Sequence, residues 1–144
     1  MESIELLERV KTRIGKPAAT LIAVDDDSQR HFISEMTLSA VALYLLSKYI
    51  DGFAEGLGVK ELGKAHAQLA LLTLDSAANY VSSKTGELRR LLSDISQSLL
   101  PHRNNREAKD KAEESAAQTL NQRGVPDFEA RDIAAGISDA IFKD

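Results

Sequence analysis

The sequence predicts an all-α protein, a compact bundle of five or six helices around a long apolar central helix and a Gly-rich αα-hairpin. Three observations predict it. Apolar residues recur three and four apart along most of the chain, the one stretch that could be extended has no second strand to pair with, and glycines and prolines punctuate the periodic segments. At 144 residues the chain is read as a single helical domain, 1–144. It divides into an N-terminal helix and loop (1–27), an apolar helical core (28–100) and a more polar C-terminal helical hairpin (101–144).

Ile4, Leu7, Val10 and Ile14 mark the first helix, which Gly15 and Pro17 close. The following "PAATLIAV" reads as a short helix or loop. From about Ser28 to Ala54 apolar residues occupy nearly every face, as expected of a helix surrounded by protein, and Leu43, Leu46 and Ile50 share one side of it. Glycines at 52, 56, 58 and 63 are expected to break this helix near Gly56–Gly58, with Gly52 and Gly56 letting another backbone approach closely. A return helix over about Val59–Ser83 follows, punctuated by Thr85 and Gly86. Leu88, Leu91, Leu92, Ile95 and Leu99 then form a one-sided stripe ended by Pro101. Asn104, three residues before Glu107, suggests a capping box for a helix running to Gly124 with a thin seam of Ala112, Ala116 and Leu120. That seam suits a peripheral helix, or close contact through small side chains. The last helix carries Ile133, Ile137 and Ile141 in register, with Asp127 and Glu129 in its first turn, where the helix dipole favours carboxylates.

Composition bounds the chemistry. Apolar content of 43% with 28% charged residues is that of an ordinary globular protein. With no cysteine, disulfides, thiolate nucleophiles and cysteine-ligated metal sites are excluded. The charged N-terminal stretch lacks the apolar core of a signal peptide, so a cytoplasmic location is expected. Lys48, Asp51 and Glu55 interrupt the most apolar run, leaving less than the ~20 residues a membrane span needs.

"VDDDSQRHFISE", residues 24–35, is the one stretch that invites a metal. As a calcium loop starting at Asp25 it fails, because the sixth position is Arg30 and the twelfth Met36. Asp27, His31 and Glu35 are spaced to share a helix face, with His66 as a distant fourth candidate, but Asp and Ser are also what a helix N-terminus selects. The capping reading is preferred, and no metal, cofactor or catalytic residue is assigned. Glu107/Asp110 and Glu129/Asp132 resemble paired magnesium carboxylates. In a hairpin turning near Val125 the two pairs would lie roughly 21 Å apart along the axis. Phosphate-loop and nucleophile-elbow orders are missing.

Five basic residues, Lys84, Arg89, Arg90, Arg103 and Arg106, stand against Glu87 and Asp94 in residues 82–106, whereas residues 107–144 are acidic. No aromatic side chain interleaves the basic segment and the chain carries a net charge of −4, so no nucleic-acid partner is expected. Pairing of this segment with the acidic C-terminal region, within or between molecules, is the simpler use. The leading functional expectation is a soluble, non-enzymatic protein-interaction or assembly module forming a homo-oligomer. Leu43, Leu46, Ile50, Phe53, Gly52 and Gly56 would be its contact residues. Two alternatives are a membrane-active effector using a hairpin around residues 33–81, and a bundle enzyme or small-ligand binder whose site converges from several helices.

Overall fold

The computed structural model describes residues 5–14 and 35–143, over which the chain forms seven helices and no strand. They are α1 (residues 5–14), α2 (Glu35–Leu57), α3 (Lys64–Leu69), α4 (Leu74–Ser83), α5 (Thr85–Leu99), α6 (Arg106–Gln122) and α7 (Asp127–Phe142), with a 3-10 turn at Leu100–His102 between α5 and α6. Asp27 and His31 lie outside the described residues, as do the stretch 17–27 and the expected start of the central helix at Ser28.

Apolar side chains on every face of α2 require neighbours all round, and the bundle supplies them: α6 and α4 principally, with α3 and α7. Leu43, Leu46, Ile50 and Phe53 are completely buried. Each such side chain contributes about 1.5–3 kcal/mol by leaving water. The apolar surface that suggested assembly is therefore covered by the chain's own helices. Most described apolar residues of the 33–81 segment are likewise part of this core; Val59 and Leu71 are exposed.

The longest packing interface joins α2 to α6, and small residues on both sides make it close. A methyl placed on Gly52 would stand 2.7 Å from Ser115 Cβ and 2.8 Å from Ala112 Cα; one on Gly56 would stand 2.6 Å from Ala108 Cα. The glycines of α2 and the alanine seam of α6 are each other's partners. Between the two glycines along α2, Phe53 stacks on Tyr49 and on Phe142, with ring centroids 6.2 and 5.9 Å apart, tying α2 to the end of α7.

α2 stops at Leu57 because Gly58 turns left-handed at φ +77°, a conformation that glycine adopts without strain. The expected single return helix is instead two. α3 ends at Leu69, the chain turns through Ala70–Leu72, and Thr73 starts α4. Thr73 Oγ1 accepts from the Ser76 amide at 3.1 Å and Ser76 Oγ accepts from the Thr73 amide at 2.7 Å, a reciprocal cap that favours a new helix over a continuous one. This extra break takes the count beyond five or six. Thr85 and Gly86 lie inside the first turn of α5 rather than between helices, and Lys84 alone separates α4 from α5. The α6 cap is Asn105, not Asn104; its side chain accepts from the Ala108 amide at 3.0 Å.

α1 lies on α7, where Gly136 leaves room for Arg13, whose Cβ would stand 3.2 Å from a methyl there. Two arginines distant in sequence serve the last carbonyls of α7: Arg9 donates to that of Lys143, and Arg103 to that of Phe142 at 3.2 Å. Cationic donors suit the negative end of the helix dipole.

Candidate functional site

Where α6 and α7 run antiparallel, away from their connecting turn, they leave a pocket of about 280 Å³. Arg106, Lys109 and Glu113 reach it from α6, and Ser138, Asp139 and Lys143 from α7. Spacings of three and four put the α6 trio on one helical face. Behind the pocket stands Tyr49 of α2, fully buried. Its hydroxyl lies 2.6 Å from Ser138 Oγ, and Ser138 donates to Glu113 Oε2 at 2.7 Å. A serine has one proton, so Tyr49 donates and the relay runs Tyr49 to Ser138 to Glu113. Burial pushes the Tyr49 phenol well above its ordinary range; Glu113 and Asp139 push the same way, and the Ser138 hydrogen bond opposes them.

The remaining charges are ordered along the groove. Asp139 meets Lys143 at 3.3 Å and Arg13 at 3.6 Å. The Lys109 ammonium lies 4.7 Å from the centre of the Phe142 ring, within cation–π range. Arg106 makes no ion pair among the described residues. The site can hold a small polar molecule between a cationic end and a carboxylate–hydroxyl end. The relay also holds the serine proton against a carboxylate, without a histidine to accept it.

His66, singled out from the sequence, is elsewhere. It is nearly buried on α3, with Nδ1 accepting from the Leu62 amide at 2.9 Å and Nε2 2.5 Å from Asp51 Oδ1. Because Nδ1 accepts, the ring proton sits on Nε2 and is donated to Asp51. Both nitrogens are committed to closing the Gly58–Gly63 loop against α2. Glu35 opens α2, and the proximity of Asp27, His31 and Glu35 to His66 falls outside the described residues. Among the described residues no three His, Asp or Glu side chains gather as a metal-binding group.

The five basic residues do not form one patch. The Lys84 ammonium sits over the Tyr80 ring, while Arg89 and Arg90 project from the start of α5, Arg89 along an apolar cleft with Leu7, Val81 and Leu88. Arg103, about 21 Å from Arg89 along the α5 direction, donates to the end of α7, and Arg106 lines the pocket between α6 and α7. Among the described residues, no helix is long and apolar enough to cross a membrane.

Sequence reasoning missed Tyr49, Ser138 and Glu113. One signal pointed to Tyr49 alone: a tyrosine in the middle of an all-round apolar helix needs a buried partner for its hydroxyl, though not which one. No family model, curated protein or solved structure matches this chain.

Proposed function

We propose that the chain is a non-enzymatic helical interaction module of the cytoplasm that associates with copies of itself through surface outside its core. The observation that carries this reading is Phe128, in the first turn of α7, which is 85% exposed. Large aromatic side chains on rigid helices are the anchors on which protein interfaces concentrate their binding energy. Asp127, Glu129 and Asp132 surround it in sequence, so the surface it would meet is apolar with a basic rim. The cleft with Leu7, Val81, Leu88 and Leu92 along its walls belongs to the same chain; Arg89 edges it, and the Glu8 carboxylate on its other edge is already paired with Lys11. α7 is acidic, with Asp127, Glu129, Asp132 and Asp139 against Arg131, and Arg89 with neighbouring Arg90 would answer it in a head-to-tail arrangement between copies.

Sedimentation velocity from about 1 to 100 μM tests the proposal. Association that weakens at high salt, where surface charges are screened, and that Phe128→Ser abolishes without lowering the melting temperature is the expected result. A strict monomer across that range overturns it.

A further inference from the structure

The geometry points to the α6–α7 pocket as a binding site for a small zwitterion whose carboxylate and ammonium are several bonds apart. This inference is independent of self-association. Along α6, Arg106, Lys109 and Glu113 rise by about 4.5 and 6 Å, so the cationic and anionic ends of the groove are about 10 Å apart at the backbone. α7 runs back beside them, and the pairings that fix its register are Lys109 over Phe142 and Glu113 against Ser138. Asp139 is already answered by Lys143 and Arg13, which leaves Arg106 and Lys109 facing Glu113 as the charges open to a ligand.

A plain anion of this length would meet Glu113 at its far end, and a plain cation would meet Arg106 and Lys109. A molecule carrying both charges satisfies both ends. Ser138 is 8% exposed and is held by fully buried Tyr49, so its hydroxyl and the Glu113 carboxylate are fixed before any ligand arrives. One acceptor position on Ser138 and the second carboxylate oxygen of Glu113 remain for an ammonium. A volume of about 280 Å³ is just below the usual range for drug-sized ligands and suits an amino carboxylate rather than a nucleotide.

Calorimetric titration of the full chain with ε-aminocaproate, caproate and hexylamine tests this directly. ε-Aminocaproate is expected to bind at least about tenfold more tightly than either singly charged analogue. Glu113→Gln should erase its advantage over caproate, and Arg106→Gln with Lys109→Gln its advantage over hexylamine. Ala135→Leu, which fills the pocket without changing charge, should abolish binding while circular dichroism melts confirm the fold. Equal binding of all three compounds, binding unaffected by Ala135→Leu, or no binding to the parent at about 50 mM overturns the assignment.

Discussion

Gly52 faces the Lys111 carbonyl across the α2–α6 crossing with no room between them for a methyl group. Alanine is the better helix former by about 1 kcal/mol, so on propensity alone Gly52→Ala should stabilise. Packing decides the other way. The clash involves the α6 backbone and Ser115 Cβ, which cannot swing aside, and overpacking of this kind costs about 1–3 kcal/mol. Gly52→Ala and Gly56→Ala should each lower the thermal midpoint, and the double variant should lower it further. A raised midpoint would mean that the helices can separate at little cost.

Leu46→Asp places a carboxylate at a fully buried position on α2. Burying an uncompensated charge costs several kcal/mol, against a typical total stability of about 5–15 kcal/mol. The variant should be unfolded or molten by near-UV circular dichroism and proton NMR dispersion. A native-like spectrum would show that α2 does not form the centre of the bundle.

These two expectations show what was legible in the sequence. Leu43, Leu46 and Ile50 declared a buried helix by spacing alone, and Ile133, Ile137 and Ile141 the inner face of α7. Gly52 and Gly56 announced close approach, and Ala112 and Ala116 a narrow seam, but nothing local says that one is the complement of the other some sixty residues away. The break at Thr73 was hidden because Leu72 and Leu74 continue the apolar pattern across it, and a side-chain cap overrode that pattern. The Tyr49–Ser138–Glu113 relay was illegible for the same reason as the glycine–alanine pairing: 89 residues separate the first two members, and their meeting is a product of the whole fold.

Tyr49 predicts a specific alkaline response. Its phenol is held above the ordinary value of 10.0, so the folded protein keeps the neutral form where the unfolded chain has begun to lose its proton. A raised value contributes stability that is whole below about pH 10 and is lost as pH rises beyond it. Urea midpoints from pH 8 to 11.5 should fall more steeply for the parent than for Tyr49→Phe. At neutral pH the substitution should cost only about 1 kcal/mol, for one lost hydrogen bond. Parallel pH profiles for the two proteins would contradict the burial of this hydroxyl.

His66→Ala removes the acceptor for the Leu62 amide and the donor to Asp51 together. A cost of about 2–4 kcal/mol is expected from the two bonds and the space left behind. The Leu62 amide should exchange with solvent much faster than in the parent. Asp51→Asn keeps an acceptor oxygen for the ring and should cost less. Equal exchange rates at Leu62 in parent and His66→Ala would mean that the loop is held by something else.

The α2–α6 crossing also sets a schedule for synthesis. Leu57 leaves the ribosome 65 residues before Gln122, an interval of roughly 3–13 s at bacterial and eukaryotic elongation rates of about 5–20 residues per second. Throughout it, the glycine side of the most apolar helix in the protein has no partner to close on. α4 can shield one flank early, but the flank reserved for Ala108 and Ala112 stays open until α6 has emerged. Stalled or truncated products ending before α6 are therefore the species expected to aggregate, with the glycine face of α2 exposed.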